Sequence, residues 1–146
     1  MRKSSKRVIR PPSTLIAPAQ HDDLMLAPRL HLQMLLEGQH SADYLHSVAG
    51  VLNIAAALAQ LHGHAQAQTQ YSAAQAIMRA LIDANRGPTT REGAHLVAAF
   101  NAANALLRRQ TTHHLGRAIT YVDRMISAGQ AGAVAPETAD PQGVPR

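Results

Sequence analysis

Residues 41–61, SADYLHSVAGVLNIAAALAQL, decide the fold. Ser41 is a helix-capping residue type, Asp43 follows in the first turn, and Gly63 stands just past the far end. Between them two adjacent apolar stripes run at helical spacing, Leu45/Val48/Leu52/Ala55/Ala59 and Val51/Ile54/Leu58/Leu61. The polar strip is narrow: Asp43, His46, Ser47, Asn53 and Gln60. A helix this apolar around its circumference belongs at the centre of a helical bundle. Gly50 inside it costs helix propensity, which predicts a neighbouring helix crossing close at that point.

The segments on either side read the same way. Upstream, 22–37 is helical, with His21-Asp22-Asp23 as its start, Gly38 as its stop, and Pro28 kinking it or beginning it. Downstream, 66–86 turns Tyr71, Ala74, Ile77, Met78 and Leu81 inward, and Asn85-Arg86-Gly87-Pro88 ends it. Thr89 with Glu92 forms a capping box for a helix carrying the stripe Leu96/Phe100/Ala103/Leu107. A last stripe, Leu115/Ile119/Val122/Ile126, follows; 90–128 reads as one long helix or two, with a break or bend favoured near 111–113, where Thr111-Thr112 offers a cap and Gly116 weakens continuity. No hairpin turn or alternating strand pattern occurs. The expected fold is all-α, a compact bundle of four to five helices over 21–129. Breaks are expected at 38–41, 62–65 and 87–89.

Six of the eight prolines lie in 1–20 and 130–146, which read as disordered tails. The first ten residues hold Arg2, Lys3, Lys6, Arg7 and Arg10 and no acid. Of 14 basic and 9 acidic residues this leaves 9 against 9 elsewhere, so the arm supplies the whole net charge of +5. An arm of this kind points to contact with a polyanion, although solvated tails share its composition. It overlaps in character with organelle transit peptides, but Pro11-Pro12 breaks an amphipathic helix there.

The absence of cysteine excludes disulfides, thiol catalysis and cysteine-ligated zinc. The longest apolar run, Val48 to Leu61, falls short of the ~20 residues a bilayer needs, and no secretory signal precedes it. The expected location is the cytoplasm, without membrane contact. Nine histidines raise the question of metal, yet His21, His31, His40, His46, His62, His64, His95, His113 and His114 include no i,i+3 or i,i+4 pair. They read as exposed polar residues, with no metal and no cofactor expected. Asp22 and Asp23 are explained by the helix start, and Arg79 with Asp83 reads as a surface ion pair. Nucleophile elbow, phosphate loop and dinucleotide fingerprint are all missing. The chain is therefore expected to bind rather than catalyse.

Beside the arm, Arg108-Arg109 form a doublet, and Arg117 and Arg124, seven residues apart, share a helix face from which both could reach phosphates. Together with the arm they are the candidate nucleic-acid contacts. Arginine stems beside an apolar stripe also serve simply to cover it. The helical surface is poor in charge, and its apolar positions exceed what one small bundle needs, which predicts a protein interface, commonly a homodimer.

Met34-Leu-Leu-Glu-Gly38 and Val51-Leu-Asn-Ile-Ala-Ala-Ala-Leu-Ala59, behind an Arg/Lys/Pro-rich arm, resemble small uncharacterised helical proteins carried on proteobacterial plasmids and prophages. The resemblance implies an accessory role on a mobile element, as a regulator or an inhibitor of host defence, and assigns no residue a role. The leading expectation is a regulator whose arm engages nucleic acid or a nucleoprotein. The alternative is a protein-binding inhibitor of a nucleic-acid-handling complex.

Overall fold

In a computed structural model, which describes residues 14–128, the chain is an all-α bundle of five helices. They are α1 (Pro18–Leu36), α2 (Ala42–Leu61), α3 (Ala65–Ala84), α4 (Thr90–Arg108) and α5 (Thr112–Ala128). No strand occurs among the described residues, and the one isolated bridge joins Leu15 to Thr111.

Local chemistry sets the boundaries. The Ser41 hydroxyl accepts from the Asp43 N–H at 3.2 Å and starts α2 at the expected residue. Gly38 and Gly63, at φ of +91° and +70°, close α1 and α2. In each case the next N–H reaches back to the carbonyl five residues earlier, Gln39 to Met34 and His64 to Ala59, both at 2.9 Å. That left-handed closure satisfies carbonyls the helix end would otherwise leave open. At the end of α3 the role falls to Asn85, φ +52°, and not to Gly87. Asn tolerates the left-handed region better than most side chains, and the left-handed residue comes two before the expected glycine.

The Thr89–Glu92 capping box is complete. The Thr89 hydroxyl accepts from the Glu92 N–H at 3.1 Å, and the Glu92 carboxylate accepts from the Thr89 N–H at 2.9 Å. Arg86 grips the same carboxylate through both terminal nitrogens, at 2.8 and 3.0 Å. These bonds, the arginine's first, hold the Glu92 carboxyl at about 2. Its contribution to stability is complete above the ordinary glutamate value and is lost as pH falls toward about 2. Removing the Thr89 hydroxyl in Thr89→Ala is expected to cost about 1 kcal/mol, read by urea unfolding. An unchanged midpoint would mean that the cap does not limit α4.

Helix α2 packs against all four others and contributes the largest share of the core. Leu45, Val48, Leu52, Ala55, Leu58 and Ala59 are sealed from solvent. Around them sit Met25 of α1, Tyr71, Met78 and Leu81 of α3, and Leu96 and Leu107 of α4. By length and hydropathy α2 alone, among the described residues, could cross a membrane, which corrects the expectation that no segment is long enough. Its apolar length is the axis of the bundle, with more than half of it buried inside.

Further expectations are corrected. Ordered structure begins well before residue 21: Thr14–Ala17 lies against the α4–α5 corner, Ile16 is 5% exposed, and Pro18 opens α1. The proline suits that first position because its missing N–H is one the helix leaves unpaired anyway. Asp22 and Asp23 therefore sit inside α1 instead of capping it, and Pro28 lies within a helix that continues to Leu36. Asn53, assigned to the polar strip, is 3% exposed and accepts a 2.9 Å hydrogen bond from Gln75 of α3. A buried amide needs such a partner. A Cβ on Gly50 would meet nothing within 4 Å; the close approach is at Gly93, where a Cβ would stand 2.8 Å from Leu36 Cδ2. The expected Arg79–Asp83 pair does not form: among the described residues the arginine–carboxylate pair is Arg86–Glu92, and His21 Nδ1 lies 3.4 Å from Asp22 Oδ1. An exposed arginine preceding its acid gains little from pairing in water.

Candidate nucleic-acid interface

Arg2, Lys3, Lys6, Arg7 and Arg10 lie outside the described residues, as does the tail from 130 onward. The point at which the arm joins the fold is nevertheless defined. The Thr14 carbonyl accepts from the Thr112 N–H at 3.1 Å, and the Ile16 N–H donates to the Gln110 carbonyl at 3.0 Å. With Ile16 buried beneath it, this short antiparallel contact pins the chain to the corner between α4 and α5. The corner is built by the Thr111 hydroxyl, which accepts from the His114 N–H at 3.1 Å and so starts α5.

From this corner an open groove of about 520 Å³ runs along α5, lined by Thr112, His113, Gly116, Arg117, Thr120, Tyr121 and Arg124. No carboxylate lines it. Arg117 and Arg124 are both exposed and share it, as their seven-residue spacing predicts. Two helical turns separate them, roughly 10 Å along the axis at 1.5 Å per residue. Gly116, one of the residues lining the groove, projects no side chain into it and has open space where a Cβ would be.

Arg108 and Arg109, also exposed, end α4 immediately before the corner. Arg109 acts electrostatically on buried Tyr71 of α3, whose hydroxyl burial pushes up and the guanidinium partly pulls back. So the structure brings Arg117 and Arg124 into one groove and leaves Arg108 and Arg109 at the adjoining helix end.

The histidines depart most from expectation. His21 is 2% exposed, His31 stacks on Tyr44 at 4.8 Å, and His40 bonds Asn85 at 2.9 Å. Four others gather at one end of the bundle. Ring centroids lie 4.9 Å apart for His62–His114, 5.5 Å for His113–His114 and 5.7 Å for His62–His64. The His62 Nε2 lies 2.9 Å from the Gln110 side-chain oxygen, while the Gln110 amide donates to the Leu106 carbonyl at 3.0 Å. Among the described residues no three His, Cys, Asp or Glu side chains converge as a metal-binding set. Sequence reasoning missed the cluster because it looked for pairs on one helix, whereas His62 and His114 come from different helices. His62-Gly-His64 at one predicted helix end and His113-His114 at the start of another was the available signal.

Two apolar features complete the surface. A cavity of about 190 Å³ between α2 and α5 is lined chiefly by Ala49, Gly50, Ile54, Ile119, Val122 and Ile126. On α1, Leu26 and Leu30, one turn apart, are 55% and 52% exposed.

No protein-family model matches the chain, and comparison with curated proteins and with solved structures finds no similar protein.

Proposed function

We propose that the chain is a non-enzymatic regulator that binds nucleic acid, or a nucleoprotein, through its basic arm and the α5 groove. One observation carries the reading: the Thr14–Thr112 hydrogen bond sets the exit of the arm at the first residue of the groove that holds Arg117 and Arg124. Thr14 follows Arg10, the last of the arm's five charges, by four residues, and the groove it meets is lined by two arginines and no carboxylate. A cationic segment beside exposed arginines suits phosphate contact, which sets affinity more than base choice. The binding is not tied to sequence in this reading, since neither a reading helix nor stacking aromatics carry it.

The test is anisotropy of a labelled duplex of about 20 base pairs across about 50 to 300 mM KCl. Counterion release gives a log–log slope of about −0.9 per phosphate, so five arm contacts yield roughly −4 to −5 and the two groove arginines steepen it to about −6. The double variant Arg117→Ala/Arg124→Ala is expected to return the slope to the arm's value with unchanged circular dichroism. A duplex that does not bind even at low salt refutes the reading.

The apolar cavity between α2 and α5 and the exposed Leu26–Leu30 pair favour a second reading, a protein-binding inhibitor of a nucleic-acid-handling complex. The same surfaces support a homodimer. Sedimentation over a micromolar range is then expected to show mass above the 15.6 kDa of one chain. A monomer throughout assigns those surfaces to another partner. The cytoplasmic, membrane-free setting belongs to the proposal and is supported by the cysteine-free composition. The plasmid or prophage context rests on the resemblance of Met34–Gly38 and Val51–Ala59 alone.

A further inference from the structure

We propose that the cluster of His62, His64, His113 and His114 makes polyanion binding proton-linked. As nucleic-acid phosphates arrive at the α4–α5 corner the imidazoles take up protons, so the chain holds a duplex more tightly in mildly acidic than in mildly basic solution. The inference rests on the nucleic-acid reading above and adds a regulated property to the same site.

The geometry argues for it in three steps. First, the rings form a chain, His64–His62–His114–His113, with neighbouring centroids 4.9 to 5.7 Å apart, at the corner where Thr14 and Ile16 bond to Thr112 and Gln110. His113 itself lines that groove, and His62 bonds Gln110, whose backbone carbonyl anchors Ile16. Second, the charges that act on His114 are positive: His62, His113 and Arg117. The end of α2 and its loop contribute His62 and His64, and α5 contributes His113, His114 and Arg117. The α4 end places uncharged Gln110 against His62, and residues 14–17 carry no titratable side chain.

Third, His114 at the centre of the cluster is disfavoured as a cation in the absence of an anion. Burial first, then His62, His113 and Arg117, push His114 below the ordinary histidine value. Its place in the first turn of α5, at the positive end of the helix dipole, works in the same direction. Phosphate oxygens supply the missing counter-charge and raise the affinity of the rings for protons. By linkage, whatever binds the protonated form better is bound better as pH falls through that window. Lysine, arginine and phosphodiester groups do not titrate there, so binding through the arm and guanidinium groups alone would be independent of pH.

The experiment measures duplex affinity of the full chain at about pH 6 and about pH 8 at constant ionic strength, where each linked proton contributes up to about tenfold per pH unit. The expected result is an affinity at least about tenfold higher at the lower pH, and a dependence lost in His113→Gln/His114→Gln. Circular dichroism of that variant should match the wild type, so that the lost dependence is not lost folding. The exposed His95 on α4 lies outside the cluster, and His95→Gln should retain the full dependence. Calorimetry of the wild-type chain in two buffers of different ionisation heat gives a second readout that needs no variant, with net proton uptake expected near neutral pH. Equal affinity at both pH values, zero uptake, or a dependence that survives the double variant overturns the inference while leaving the nucleic-acid reading standing. Absence of binding at either pH brings down that reading itself.

Discussion

Leu52→Asp is expected to abolish the cooperative thermal transition of this protein. Leu52 is fully buried at the centre of α2, the helix that touches every other helix in the bundle. Truncating a buried leucine costs about 2 to 5 kcal/mol through lost transfer energy and the cavity left behind. The aspartate adds the expense of a carboxylate without a partner, which shifts toward neutrality but still leaves a polar group in an apolar setting. A domain of this size has about 5 to 15 kcal/mol in total, and an alanine-rich, aromatic-poor core has little in reserve. The paired control is Leu26→Asp, at a position 55% exposed on α1, which should melt close to the wild type. Similar melting of both variants would mean that the core is not organised around α2.

Removing residues 1–10 is expected to separate folding from binding. The deletion takes away five of the seven cationic groups proposed to meet phosphate, Arg2, Lys3, Lys6, Arg7 and Arg10. At about 0.9 per contact, the salt slope should fall from about −6 to about −2, with a loss of binding strongest at low salt. Helical content should not change, because the anchor that belongs to the fold begins at Thr14 and is retained. Extending the deletion through residue 17 should behave differently. It removes the bonds to Gln110 and Thr112 and uncovers the pocket filled by Ile16, so stability should drop together with binding. If the shorter deletion binds as well as the intact chain, the arm has no part in the function. The preferred reading then moves to a protein partner, with the α2–α5 cavity as the surface to test.

The two deletions differ because the N-terminal region is two things, and the sequence distinguishes them poorly. Its proline content led to a single tail through residue 20. The burial of Ile16 and the bridge to Thr111 draw the boundary earlier, through contacts almost a hundred residues away. The proposed site was legible to the same degree. The arm's charge and the Arg117–Arg124 spacing could be read directly, while the place where the arm meets the groove could not.

By itself the amino-acid order determined the helices and most of their ends. Capping, left-handed closure and apolar periodicity operate within about five residues, so Ser41, Thr89 with Glu92, Gly38 and Gly63 announce them without knowledge of the rest. Phe100, Ala103 and Leu107 likewise took their buried places because a stripe at helical spacing must face the core. Only the tertiary structure decided what those helices bring together. It buried Asn53 against Gln75, 22 residues away, joined His62 to Gln110 across 48, and gathered four histidines from two helix ends. Polar pairings of that kind depend on which helix faces meet once apolar area has been removed from water. That burial is non-directional, and local sequence carries no mark of its outcome.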